Sequence, residues 1–257
     1  MPHPFDYSGK AVIVTGGCRG IGRGIAVRFL EAGADVVICC RHAPDELPAA
    51  GGREAVFTEA DVRDPDHAQR VVDACTERFG RLDVVVNNAG GSPPAEAATA
   101  SPRFADSIVR LNLLAPLFVA QRANAVMQGQ PDGGVIVNVG SVSGLRPSPG
   151  AAAYGAAKAG LINLTQTLAV EWAPRVRVVA VTPGMIETEQ ADLYYGDEAA
   201  QARVAATVPA GRLGVPADVA DAILFLASPL ASYASGTNLV LHGGGERPAF
   251  LGAVEGG

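Results

Sequence analysis

Short runs rich in valine and isoleucine alternate with longer helical patterns from one end of the chain to the other, and this alternation restricts the possible folds more than any other feature. Strands are expected at residues 11–15, 35–40, 55–58, 83–87, 134–140, 177–182 and 237–241. Continuous apolar runs of this kind mark parallel strands covered on both faces. Helices are expected at residues 20–32, 65–79, 104–127, 151–173 and 216–227, two of them opening on prolines, Pro65 and Pro216. Proline suits the first helical turn because its φ is already set and its missing N–H would have had no partner there. The alternation predicts an α/β fold: a doubly wound parallel sheet of about seven strands with helices on both faces, right-handed crossovers, and ligands outside the carboxyl ends of the strands. Residues 41–52 carry two prolines and two closing glycines, so the second crossover is expected to hold only a very short helix. Residues 185–213 lack a strand pattern and read as a partly helical excursion.

Composition narrows the function classes. With 257 residues, 48% apolar and 18% charged, the chain reads as one globular domain over 1–257, which excludes disorder and collagen-like structure. A formal charge of −6 and the absence of any Lys/Arg run argue against a nucleic-acid partner. The first ten residues lack a basic start and apolar stretch, and no uninterrupted apolar run approaches the roughly 20 residues of a membrane helix, so a cytoplasmic protein without a membrane partner is expected. Cys18, Cys39, Cys40 and Cys75 fit neither a zinc spacing nor a disulfide framework. They read as small, buried apolar residues without a redox role, and no metal site is expected. Of the 20 basic side chains, only Lys10 and Lys158 are lysines, so each of these two calls for an explanation.

After the first strand comes Thr15-Gly16-Gly17-Cys18-Arg19-Gly20-Ile21-Gly22. Glycines there let the backbone turn tightly and approach a pyrophosphate at a helix N-terminus. A phosphate-transferring loop is excluded, because no Gly-Lys-Ser/Thr closes the segment. Counting through the second strand places the ribose of a dinucleotide near Cys40 or Arg41. An acid there would hold both hydroxyls of NAD, whereas an arginine pairs with the 2′-phosphate of NADP. No acid stands there, and Arg41 and Arg19 lead to an expectation of NADP(H), with NAD(H) the alternative.

Tyr154 and Lys158 are four apart, which on a helix places them on one face. An ammonium near the phenol, aided by the charge of an oxidised nicotinamide, would move the tyrosine from its usual pKa near 10 toward the working range. Ser141, at the end of the fifth strand, can face the same cavity and orient a carbonyl by hydrogen bonding.

The loop Thr-Gly-x-x-x-Gly-x-Gly, with Asn87-Asn88-Ala89-Gly90, Ser141, Tyr154-Gly155-Ala156-Ala157-Lys158 and Pro183-Gly184, resembles the short-chain dehydrogenase/reductase family from about Lys10 to Gly244. The resemblance implies a Rossmann-type fold and catalytic roles for Asn112, Ser141, Tyr154 and Lys158, with Ser143 the nearest competitor of Ser141. Asn112 would help hold a water through which protons reach the lysine; a buried structural asparagine is the other reading. Cofactor contacts are implied for Thr15, Gly16, Cys18, Arg19, Gly20, Ile21, Gly22, Arg41, Asn88, Ala89, Gly90, Tyr154 and Lys158. The resemblance puts Asp61 and Val62 at the adenine and Pro183, Gly184, Ile186 and Thr188 near the nicotinamide carboxamide. An Asp at position 61 is equally plausible as a cap for the helix near Pro65. Hydride transfer on the pro-S face and assembly as a homotetramer, or a homodimer, are further implications.

The chain also departs from that family. Leu241-His242-Gly243-Gly244-Gly245 lacks the usual acid, and the sixth strand reads Arg177-Val178-Val179, where local rearrangement is expected without loss of the cofactor site. A lone His at a strand end, such as His242, is more often structural. Residues 246–257 are expected to form a tail that packs on a neighbouring subunit. In the excursion, Met185, Leu193, Tyr194 and Tyr195 stand beside Glu187, Glu189, Asp192 and Asp197, which suits a lid over an apolar or neutral ring. The favoured function is therefore oxidoreduction of a largely apolar ketone or alcohol. Reduction of 3-oxoacyl groups on an acyl carrier is the alternative in the same class, and a catalytically silent nucleotide sensor or scaffold is the alternative outside it.

Overall fold

In a computed structural model, which describes residues 5–248 and residue 251, seven parallel strands form one sheet. They are β1 (Ala11–Thr15), β2 (Asp35–Cys40), β3 (Val56–Glu59), β4 (Val84–Asn87), β5 (Gly134–Val139), β6 (Val176–Pro183) and β7 (Asn238–Leu241). Their spatial order is β3-β2-β1-β4-β5-β6-β7, so the chain winds outward from β1 in both directions. Residues beyond 248, other than 251, lie outside the described residues, and with them most of the tail expected to pack on a neighbour.

The inner strands are apolar on both faces because each face has its own layer. Along β1 and β2, Val12, Val14, Val36 and Ile38 point to one core with Ile25 and Phe29, while Ile13, Val37 and Cys39 point to the other with Val71 and Val119. The first layer is built from α1 (Gly20–Glu31) and, later in the chain, α8 (Pro216–Ala227). The second holds α2 (Pro65–Phe79) and a long helix made of α3 (Pro102–Val109), a π turn (Arg110–Leu114) and α4 (Ala115–Gln128). Residues 102–128 are long and apolar enough to cross a membrane by length and composition alone, but Ala115, Val119, Ala123 and Met127 are buried in the second core. Full burial of a side chain the size of Val119 or Met127 stabilises the fold by about 1.5–3 kcal/mol.

Local chemistry sets several boundaries. Asp64 caps α2 by accepting from the Asp66 N–H at 2.9 Å, Pro65 is its first residue, and Gly80 ends it at φ +72°. Asp64, rather than Asp61, therefore serves as the cap. The helix α5 (Ala152–Glu171) follows β5, and α6 (Ala191–Tyr195) and α7 (Glu198–Thr207) make up the excursion after β6. No helix forms between β2 and β3; residues 49–50 and 53–54 pair as a short antiparallel ladder instead. Gly51 and Gly52, both at positive φ, make the tight turn that the ladder requires and a helix would not. Arg177 donates to the carbonyls of Leu226 and Ala234, at 2.9 and 3.3 Å, tying β6 to the end of α8.

The two lysines have separate duties. Lys10 makes ion pairs with Asp83 at 3.1 Å and Asp132 at 3.4 Å, beside the Asp83 carboxylate that accepts from the Ala11 N–H. This joins the starts of β1 and β4. Lys158 lies at the opposite, carboxyl edge of the sheet.

Candidate active site

A cleft of about 1400 Å³ opens along the carboxyl ends of β1 to β6. That exceeds the usual volume of a site for one small molecule and suits two ligands side by side. All but two of the site residues expected from sequence line it; Thr15 and Asn112 lie behind its wall.

At one end the glycine-rich loop turns from β1 into α1. Gly16 and Gly20 sit at φ +66° and +53°, and a Cβ at Gly22 would stand 2.2 Å from the Gly16 carbonyl oxygen. Only glycine permits this cradle. The Thr15 hydroxyl accepts from the N–H groups of Asn88 and Ala89, each at 3.0 Å, and the Asn88 amide donates to the Thr15 carbonyl at 2.9 Å, so Asn88 bridges β1 and β4. The first residues of α1 have no side-chain cap from their own N-terminus. Instead Glu189, from the excursion after β6, accepts from the Gly20 N–H at 3.1 Å. A carboxylate thus occupies the position where a helix N-terminus attracts phosphate.

Two exposed arginines, Arg19 and Arg41, line the same end, with Asp45 and Glu46 on its rim. Asp61 is clamped by Arg63 (Nε to Oδ1 2.9 Å), and this hydrogen bonding holds its carboxyl below the usual range, with a further contribution from the charge of Arg41. Cys18 and Cys40 are joined by a disulfide. The expectation that all four cysteines are free apolar fillers therefore fails for this pair and holds for Cys39 and Cys75, which are buried and free. Their separation of 22 residues conceals a contact made by strand pairing: Thr15 lies opposite Cys39, and the Gly16 N–H donates to the Cys39 carbonyl at 2.8 Å.

At the other end Tyr154, Lys158 and Ser141 come together. Burial raises the Tyr154 pKa, and the Ser141 hydroxyl opposes this by hydrogen bonding. The expected lowering by Lys158 is not a property of the protein alone, since the ammonium lies 5.8 Å from the ring centroid and donates to the Val139 carbonyl at 2.7 Å. Lys158 is 3% exposed, and its desolvation pushes its pKa down to about 8. Ser143, the competing serine, is held by Ser148 through a 3.0 Å hydroxyl contact.

Asn112 sits in the π turn, a local widening often found at functional sites. Its side chain accepts from the Gly91 N–H and donates to the carbonyls of Gly91 and Ile108, all at 2.9 Å. These contacts hold Asn112 so that a Cβ on Gly90 would be 2.7 Å from its oxygen and 3.2 Å from Lys158 Nζ.

Over this end Met185, Leu193, Tyr194 and Tyr195 line the cleft, whereas Glu187, Asp192 and Asp197 do not. Arg146 lines it as well and forms an ion pair with Glu246. His242 packs against Gly184 and lines a smaller neighbouring cavity of about 290 Å³. Neither Arg146 nor Glu189 was legible as a site residue, because the motifs place neither of them.

Known proteins match this arrangement. Residues 16–246 fit a family model described as enoyl-(acyl carrier protein) reductase. The chain is 35% identical over 245 residues to an uncharacterized oxidoreductase of Mycobacterium tuberculosis, covering 93% of each chain. It is 36% identical to the 3-oxoacyl-[acyl-carrier-protein] reductase of Thermotoga maritima, with 92% of this chain and 97% of the relative aligned. The aldohexose dehydrogenase of Thermoplasma acidophilum superposes with a TM-score of 0.86 at 34% identity, over 93% of this chain and 94% of that one. Such enzymes oxidise alcohols or reduce carbonyls of small molecules with nicotinamide dinucleotides. With the sheet, the glycine cradle and the Ser-Tyr-Lys cluster in place, the chain belongs to the short-chain dehydrogenase/reductase family.

Proposed function

We propose that the protein is an NADP(H)-dependent oxidoreductase acting on a ketone or secondary alcohol of a largely apolar small molecule. The arginine pair Arg19 and Arg41 carries the cofactor choice: both guanidiniums border the cleft, exposed, and neither makes a side-chain hydrogen bond or ion pair among the described residues. Such groups suit bidentate recognition of a phosphate. The glycine cradle fits the pyrophosphate, which would be held by Gly16, Cys18, Gly20, Ile21 and Gly22. Asp61 and Val62 would flank the adenine, Asn88 to Gly90 the central part, and Pro183, Gly184, Ile186 and Thr188 the nicotinamide end.

When bound, the dinucleotide supplies or receives the hydride. Tyr154 gives the proton to the carbonyl oxygen in reduction and removes it from the hydroxyl in oxidation. Ser141 hydrogen-bonds that oxygen and fixes its direction. The Lys158 ammonium, freed from the Val139 carbonyl, would reach a ribose hydroxyl and stabilise the phenolate, and Asn112 positions the Gly90–Gly91 backbone beside it. Residues 185–213 act as the lid, whose apolar side chains favour a neutral ring. A catalytically silent sensor would have no use for this clustered set. Reduction of 3-oxoacyl thioesters is the second reading, favoured by the likeness to the Thermotoga enzyme. Assembly as a tetramer or dimer would use the two long helices, residues 102–128 and α5.

The deciding experiment follows NADPH and NADH oxidation against ketones, quinones, oxosteroids and acetoacetyl thioesters, and reduction of NADP+ and NAD+ by aldohexoses. Turnover confined to the thioesters would replace the favoured substrate class with the second reading. Arg41→Ala is expected to weaken NADPH binding about tenfold or more while leaving NADH nearly unchanged. Equal losses would show that the 2′-phosphate lies elsewhere. Glu189→Gln is expected to tighten dinucleotide binding about two- to fivefold, because the phosphate no longer displaces a carboxylate from the helix N-terminus. Unchanged affinity in a titration of nicotinamide fluorescence would remove Glu189 from the path.

A further inference from the structure

Cys18 and Cys40 hold a position that oxidoreduction of a carbonyl does not require. Cys18 belongs to the loop that opens α1 and Cys40 ends β2; both are half-buried and line the cleft, with Cα atoms 6.4 Å apart. That separation falls within the range a disulfide spans without backbone movement. The closeness is imposed by the fold, since the β1–β2 register and the Gly16 N–H to Cys39 carbonyl bond hold the two segments together whatever the state of the sulfurs. Each cysteine immediately precedes one of the arginines assigned above to the 2′-phosphate, Arg19 and Arg41.

We infer that Cys18 and Cys40 form a thiol–disulfide modification site in the wall of the dinucleotide cleft, closed by low-molecular-weight disulfides, reopened by low-molecular-weight thiols, and weakening dinucleotide binding when closed. The coupling to the dinucleotide rests on the reading of this cleft as a cofactor site; the pairing of the thiols does not. Cys18 is the attacking group, because it adjoins the exposed Arg19 at the cleft, whose charge favours attack by a thiolate. Its sulfur attacks one sulfur of a small disulfide, forming a mixed disulfide and releasing one thiolate. Cys40, giving up its proton to solvent, then attacks the Cys18 sulfur and displaces the second thiolate. Two protein thiols are oxidised and one small disulfide is reduced to two thiols. Cys39 and Cys75 do not compete: both are buried, and desolvation pushes each thiol up to about 12.

Closure acts on the cofactor in two ways. It removes two thiol groups from the cleft wall, and it ties the glycine-rich loop to β2 at the point where the loop must adjust around a pyrophosphate. Binding and closure are then reciprocally linked, so the dinucleotide also opposes closure.

The test uses the whole protein, reduced and desalted, then exposed to oxidised glutathione with and without NADPH. Mass spectrometry after alkylation is expected to find one Cys18–Cys40 link, with Cys39 and Cys75 alkylated. Cys40→Ser is expected to stop at the Cys18 mixed disulfide. The closed protein should bind NADPH about threefold to tenfold more weakly than the reduced one, the loss being reversed by dithiothreitol. Saturating NADPH should shift the closure equilibrium toward the open dithiol by the same factor of about threefold to tenfold. In Cys18→Ala/Cys40→Ala, whatever its affinity, NADPH binding should not respond to oxidised glutathione. No link, a link through Cys39 or Cys75, or equal affinity in both states would overturn the proposal. If neither dinucleotide binds in either state while the link still forms, the cofactor reading fails and the coupling fails with it; dinucleotide binding without a link removes the thiol site alone.

Discussion

Tyr154→Phe is expected to lose turnover about 100- to 10,000-fold while still binding dinucleotide. The substitution removes one oxygen from a ring that is already packed, so the fold and the cleft should stay as they are. What disappears is the group proposed to exchange a proton with the substrate oxygen. Because burial holds the phenol above its ordinary pKa in the protein alone, the proton is well retained until charge arrives next to it. Oxidation of an alcohol, which needs the phenolate, should therefore be the direction more sharply accelerated by raising the pH. Steady-state rates in both directions, with nicotinamide fluorescence as the binding control, decide the matter. Residual turnover within about tenfold of the parent would move the proton-transfer role away from Tyr154.

Lys158→Met is expected to make the protein more stable at pH 7 and nearly inactive. Lys158 is buried, and its pKa of about 8 lies below the ordinary 10.5, so charging it is harder in the folded than in the unfolded chain. Between those values the unfolded chain holds more protons, and stability rises with pH. Below about pH 8 the burial cost is present in full, up to about 3 kcal/mol; above 10.5 it is gone. Removing the ammonium should recover about 1–3 kcal/mol at pH 7, less what the Val139 carbonyl loses as its partner. The gain should shrink toward zero near pH 10.5. Urea midpoints of both proteins at pH 7 and pH 10 measure this directly. A variant that is less stable at pH 7 would make Lys158 a structural donor to Val139. A more stable, inactive one shows a charge kept in the core for chemistry.

Much of the fold was legible because it is written in local patterns. The runs at Ala11–Thr15 and Asp35–Cys40 and the helices at Pro65–Phe79 and Pro216–Ala227 begin and end where composition, proline and glycine say they should. The spacing of Tyr154 and Lys158 needs only a helix to bring them to one face, and the glycines of the loop need only a turn. Where local signals failed, two local solutions competed. Residues 41–52 could close as a short helix or as a ladder, and paired glycines at positive φ favoured the ladder. Asp61 and Asp64 both precede Pro65, and only the geometry of the turn decides which of them caps α2.

The chain by itself thus determined the strands and helices of the layers, the cradle and the Tyr154–Lys158 pair, since each depends on residues within a few positions of one another. Tertiary structure alone decided the rest. It brought Cys18 to Cys40 across the β1–β2 register, carried Glu189 from beyond β6 to the first N–H of α1, and enclosed Asn112 with three backbone partners. It also desolvated Lys158, and so set the charge this site must hold. Contacts of this kind follow from strand order and burial, which arise from the packing of distant segments and leave no mark on the spacing of residues along the chain.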